Sequence, residues 1–111
     1  MINGSAVKIL GSSFVRGNNS ALNGSALEIL STGSYLNIRD CNFTSNTGYY
    51  GGAIYISSSG TNDSPAQISN CTFKSNSAYQ RGGAIYIGGT TCININDCTF
   101  NDNFVRFFSL K

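Results

Sequence analysis

The chain of 111 residues has no histidine, one proline, and few charges: seven Lys plus Arg and five Asp plus Glu. Without histidine there is no imidazole base and no Ser–His or Cys–His nucleophile. Charged residues make up 11% of the chain, against roughly a quarter in an ordinary globular protein. Asn, Ser and Gly take their place, which suits hydrogen-bonding loops and gives little electrostatic steering. The net charge is +2, and Arg16, Arg39, Arg81 and Arg106 are scattered through loops and corners. No basic stripe interleaved with aromatics exists, so the sequence carries no nucleic-acid footprint. Met1–Leu10 lacks the charged start and apolar run of a signal peptide. No stretch reaches the length of a membrane-spanning helix.

What is present is repetition. GGAIYI occurs at Gly51–Ile56 and again at Gly82–Ile87. A second phrase recurs as CNFTSN (Cys41–Asn46), CTFKSN (Cys71–Asn76) and CTFNDN (Cys98–Asn103). Phe14, Phe43, Phe73 and Phe100 follow one another at intervals of 29, 30 and 27 residues. A unit that cannot bury its own apolar face must stack on copies of itself. The elastic spacing marks a rigid element joined by loops, the longest being Ser57–Pro65 with the single proline.

The repeating segments are short, β-branched or aromatic, and bounded by Gly, Asn, Asp and Ser, which predicts strands. Aligning the copies places Val7, Leu27, Ile54 and Ile85 at one inward position. Ile9, Ile29, Ile56 and Ile87 fall two residues further on. Between them stand Lys8, Glu28, Tyr55 and Tyr86; a position that accepts Lys and Glu faces water. A second strand runs through Leu36–Ile38, Ala66–Ile68 and Ile93–Ile95, and Cys-x-Phe makes a third. Arg39–Asp40, Ser69–Asn70 and Asn96–Asp97 are expected to turn the chain between them. Three strands and three corners in roughly 28 residues describe one coil of a solenoid. The expected fold is all-β: a single domain over 1–111, built as a right-handed parallel β-helix of about four coils.

Asn46, Asn76 and Asn103 each lie three residues after a Phe. They are expected to take left-handed turn conformations and to form a coil-to-coil amide ladder. The paired glycines before Ala53 and Ala84 read as a tight corner; no Lys-Ser/Thr follows to make a phosphate cradle. Cys41, Cys71 and Cys98 share an interior column, while Cys92 stands apart. Coil spacing of about 4.8 Å would permit a disulfide, but side chains pointing the same way are poorly aimed at one another. Free, buried thiols are the favoured reading. No C-x-x-C or histidine offers a zinc site, and no cofactor is implied.

These phrases resemble a known family. GGAIYI alternating with FTSN, FKSN and FNDN is similar to the repeat of chlamydial polymorphic outer-membrane proteins and to pectin-lyase-like surface β-helices more widely. The resemblance covers about Ala26 to Asn103. The first copy departs from it at Ser12-Ser13-Phe14, Gly17 and Gly24-Ser25. It implies the passenger of an autotransporter that adheres to host cells, located at the cell surface, in the outer membrane or secreted. The partner would be a host-cell protein or glycan. A membrane would be met only through parts of a longer chain, since no barrel segment is seen. The opening in mid-phrase at Gly4-Ser5-Ala6-Val7 and the apolar tail over 104–111 point to a piece of a longer solenoid. That tail reads as a cap or a cut, and uncapped coils could associate end to end. Six N-x-S/T sequons, at Asn3, Asn18, Asn23, Asn42, Asn62 and Asn70, bear on secretion only in a eukaryote.

Carbohydrate-active β-helix enzymes use paired carboxylates, or carboxylate-bound calcium beside a base. Asp40 and Asp97 share a corner column with Asn70 between them, which puts their carboxylates roughly 9–10 Å apart. That is the wide limit for an inverting pair, and turn propensity explains the column more simply. The catalytic set is therefore empty, and an enzyme remains the alternative only if its catalytic coils lie elsewhere. Tyr49, Tyr55, Tyr79 and Tyr86 are the candidate interaction face: outward tyrosines can stack on sugars or contact a protein. They are equally good strand residues whose rings cover their neighbours.

Overall fold

The structure is a computed structural model that describes residues 2–3, 6–17, 26–31, 35–57, 65–88 and 92–105. Its described residues form four coils of strand and corner. The first holds β1 (Ile2–Asn3), β2 (Ala6–Leu10) and β3 (Ser13–Val15). The second holds β4 (Leu27–Ser31), β5 (Tyr35–Arg39), β6 (Asn42–Thr44) and β7 (Thr47–Tyr50). The third holds β8 (Ile54–Ile56), β9 (Ala66–Ser69), β10 (Thr72–Lys74) and β11 (Ser77–Arg81). The fourth holds β12 (Ile85–Ile87), β13 (Ile93–Asn96), β14 (Thr99–Asn101) and β15 (Phe104–Val105). Like strands pair in parallel from coil to coil, giving sheets β1-β4-β8-β12, β2-β5-β9-β13, β3-β6-β10-β14 and β7-β11-β15. The fold is a parallel β-helix, as the repeats require.

The second, third and fourth coils thus have four strands each, not three. The additional strand, β7, β11 or β15, follows the ladder asparagine. Its sequence hides it, because Gly48 and Ala78 supply the buried positions and no aliphatic alternation appears.

The core is a set of columns. Leu27 lies beside Ile54 and Ile54 beside Ile85; Ile29, Ile56 and Ile87 run parallel to them. Ile38, Ile68 and Ile95 are in register in the second sheet. Phe14, Phe43, Phe73 and Phe100 stack with centroids 4.9, 4.8 and 4.9 Å apart and planes within 5° of parallel. On the fourth coil the columns reach the edge of the described stack, where Ile95 and Phe100 are exposed.

The first coil corrects the alignment. Val7 and Ile9 pair with Leu36 and Ile38, so they belong to the second sheet, not to the column of Leu27 and Ile29. Lys8 accordingly lies opposite Asn37 rather than in the tyrosine column. The reason is distance along the chain: Ile9 precedes Phe14 by the same five residues that separate Ile38 from Phe43 and Ile68 from Phe73.

Left-handed backbone makes two of the corners. Asp40, Asn70 and Asp97 have φ of 58°, 52° and 54°, as expected of short polar residues at a turn. At the other corner the residue before each ladder asparagine takes that conformation: Ser45, Ser75 and Asp102, and Arg16 before Gly17. The asparagines themselves turn inward. Asn46 and Asn76 are buried. Asn76 Oδ1 accepts from Asn46 N at 2.9 Å and Asn46 Nδ2 at 3.0 Å. Asn76 Nδ2 donates to Phe43 O at 3.0 Å and to Asn103 Oδ1 at 2.9 Å. The pattern repeats below, where Asn103 Oδ1 accepts from Asn76 N and Asn103 Nδ2 donates to Phe73 O. It ends above on Gly17, whose N–H donates to Asn46 Oδ1.

At the end of the chain, Phe104 and Val105 form β15 against β11, and residues 106–111 lie outside the described residues. Gly24-Ser25 and positions 58–64 of the long loop lie outside them as well.

The buried Asn46 and Asn76 each satisfy both backbone and side-chain partners in neighbouring coils. Asn76→Ala should therefore destabilise the protein by about 2–4 kcal/mol, since it strands Asn46 N–H and Phe43 C=O. Asn76→Asp should cost at least as much, because an oxygen would face two acceptors. Urea denaturation measures both; a loss below about 0.5 kcal/mol for both variants would contradict the ladder.

Candidate interaction face

The tyrosines gather where β7 turns into β8. Ile54 and Ile56 point into the core, so Tyr55 between them points out, and the same holds for Tyr86 in β12. In-register pairing stacks the two rings at 5.3 Å with planes 5° apart. Glu28 continues their column on β4. Tyr50 comes from the end of β7, across the Gly-Gly corner. Its ring lies 5.2 Å from Tyr86 and 6.4 Å from Tyr55, tilted by 36° and 38°. Tyr49 meets Tyr50 edge-on at 4.9 Å and 87°.

The corner that joins them needs both glycines. Gly51 has φ +70°, and a Cβ there would run into Ile54 O. A Cβ on Gly52 would strike Gly83 O of the next coil. The second glycine is thus set by coil-to-coil packing.

Of the four tyrosines expected to form the face, Tyr49, Tyr55 and Tyr86 are brought together, and all three are half-buried rather than fully solvated. Tyr79 is more exposed, at 40%. The pairing of β11 with β7 slips after Ala78, and Arg81 lies opposite Tyr50. The extra residue in β11 is why Ala84 follows Phe73 by eleven residues where Ala53 follows Phe43 by ten. Tyr50 is the member that alignment undervalued: it has no tyrosine counterpart in the next coil, yet it touches all three others.

The geometry restricts what this face can do. Tyr55 and Tyr86 each give one flat face to the other, so a ligand meets their edges, their hydroxyls and at most the outer face of each. A hydroxyl-rich, half-buried aromatic surface suits contact with another polypeptide.

The other sequence candidates serve the scaffold. Asn70 Nδ2 donates to Asp40 Oδ1 at 2.6 Å, tying the corner column from coil to coil. Arg39 and Asp40 form an exposed pair at 3.8 Å, which contributes little. None of the four cysteines forms a disulfide. Cys41, Cys71 and Cys98 donate to Arg39 O, Ser69 O and Asn96 O at 3.2, 3.2 and 3.3 Å. Among the described residues no pocket is present, and no group of Cys, Asp or Glu is arranged to hold a metal ion.

The right-handed β-helix region, as a family, matches residues 2–108, nearly the whole chain. The chain belongs to the right-handed β-helix family. A protein of Dictyostelium discoideum, Metabotropic glutamate receptor-like protein R, is 34% identical over 76 residues. The match takes in 68% of this β-helix and 4% of that protein, so the chain spans only a small part of this relative's length. No solved structure matches the chain.

Burial pushes the Cys71 thiol up from 9.0 to about 11, the neighbouring Cys41 and Cys98 adding to the effect and a backbone hydrogen bond from Cys41 opposing it. The sign follows from linkage. The unfolded thiol ionises near pH 9 while the folded one stays protonated to about pH 11, so stability is lost as pH rises through that window. Denaturation of wild type and Cys71→Ala from pH 7 to pH 11 isolates this loss. Their stability difference should be constant below pH 9 and shift against the wild type above it; a difference constant throughout would contradict a buried thiol.

Proposed function

We propose that this chain is a non-catalytic β-helix segment of a cell-surface or secreted protein, and that its tyrosine cluster binds a protein partner in adhesion. The observation that carries the reading is the contiguous cluster of Tyr49, Tyr50, Tyr55 and Tyr86 on the outside of a rigid stack. Partner contact surfaces are enriched in tyrosine, and a few such residues carry most of the binding energy. The tyrosines are already ordered by one another, so little side-chain entropy is lost on binding.

Two likenesses support the setting. The alternating GGAI and F-x-x-N phrases resemble the repeats of chlamydial polymorphic outer-membrane proteins, whose passengers adhere to host cells. The Dictyostelium discoideum relative has a receptor-like name, which fits a surface location. The non-catalytic part of the reading rests on where the carboxylates are used. Asp40 is engaged by Asn70 in the corner column, and Glu28 stands beside Tyr55 in a strand.

Beads carrying the chain, applied to cells of its source, test the reading. The double variant Tyr55→Ser, Tyr86→Ser should lower bead adhesion by at least about tenfold. Protease treatment of the cells should abolish adhesion, and glycosidase treatment should leave it. Adhesion unchanged in the double variant would refute the tyrosine face. Loss on glycosidase treatment alone would move the partner from protein to glycan.

A further inference from the structure

The tyrosine stack also has a chemistry of its own, independent of any binding role. β8 and β12 pair in register with Tyr55 opposite Tyr86, and the two rings are nearly parallel. Equivalent ring carbons, including those ortho to the hydroxyls, are therefore separated by about the centroid distance of 5.3 Å. Both rings are half-buried, so each keeps one edge open to an oxidant while the backbone pairing beneath holds them together.

We propose that Tyr55 and Tyr86 are a site of oxidative dityrosine cross-linking, joining β8 covalently to β12. The oxidant is hydrogen peroxide, used through a haem peroxidase. The oxidised haem takes one electron from each phenol, and each phenol releases its proton to water, leaving two tyrosyl radicals. Their unpaired electrons form one carbon–carbon bond between ortho positions. Coupling leaves each ring as a dienone, and each ortho hydrogen then moves as a proton to the ring's carbonyl oxygen, which restores the phenol and its aromaticity. Peroxide accepts the two electrons and two protons and leaves as two molecules of water. The protein loses two hydrogen atoms in all.

The stack makes this pair the favoured route. Radicals held one coil apart meet without diffusion, so internal coupling outruns coupling between molecules in dilute solution. Closing the remaining distance needs only rotation of side chains, which is fast for partly exposed rings. Tyr50 lies at a similar distance from Tyr86 but is tilted by 36° and is held edge-on against Tyr49. Cys41 and Cys71 are 1% exposed, so the thiols that compete as electron donors are the half-buried Cys92 and Cys98.

The test treats the dilute purified chain with a haem peroxidase and hydrogen peroxide. Dityrosine fluorescence, intact mass and peptide mapping are the readouts. The expected product is a monomer lighter by two hydrogen atoms, with Tyr55 and Tyr86 in one linked peptide pair. Tyr55→Phe and Tyr86→Phe keep the ring and the fold, and each should reduce the fluorescence and the linked peptide to background. Linked dimers without the internal bond, a Tyr50–Tyr86 link, or full fluorescence in Tyr55→Phe would each overturn the assignment.

Discussion

Everything in this molecule follows from pairing like strands in parallel and in register, so that each inward side chain rests on its own counterpart one coil away. Only groups that tolerate themselves at that spacing can occupy such a column. Ile on Ile and Phe on Phe do so by dispersion and exclusion of water. Asn on Asn does so because one amide carries both a donor and an acceptor; Asp on Asp would not. Cysteine finds another solution, since its thiol is a weak partner for a second thiol. Each one instead donates to the carbonyl two residues earlier. The corners obey the same rule: Asn70 lies between Asp40 and Asp97, and its amide donates to the carboxylate above.

That rule is also what made the sequence legible. Repetition at constant phase named the Phe, Cys, Ile and Asn columns, because identity at a buried position is a direct record of stacking. The tyrosines of GGAIYI were placed outward by the same alternation. Legibility stopped where copies differ. The strand after each ladder asparagine is silent in the sequence, since its buried residues are Gly48 and Ala78, too small to announce a strand. Aliphatic spacing alone cannot tell two Ile-rich strands apart and sets Val7 and Ile9 in the wrong sheet; their distance to Phe14 sets them in the right one. Propensity favours the asparagine as the left-handed residue of the ladder corner, but its burial moves that conformation to Ser45 and Ser75. The hub of the tyrosine cluster, Tyr50, has no counterpart to align with, so only the structure shows its contacts.

The outer surface inherits the register without inheriting the restriction. Glu28, Tyr55 and Tyr86 share one outward column and need not match. Function in such a solenoid is therefore written on positions free to vary, over a scaffold that is not. Where two adjacent coils carry tyrosine, stacking fixes the ring planes and turns their edges and hydroxyls outward. The adhesive reading and the cross-linking chemistry draw on that same geometry in different ways, one through surface contact and the other through proximity of ring carbons.

The most direct test of the account is amide hydrogen exchange at Asn46 and Asn76, read by NMR. Both N–H groups donate to a side-chain oxygen of the next coil rather than to a strand partner. If the buried ladder holds the coils together, these two amides exchange only on global unfolding, as slowly as those of Phe43 and Phe73 in the core strands. Exchange at the rate of an exposed loop, with the neighbouring strands still protected, would show that the asparagines do not carry the stack.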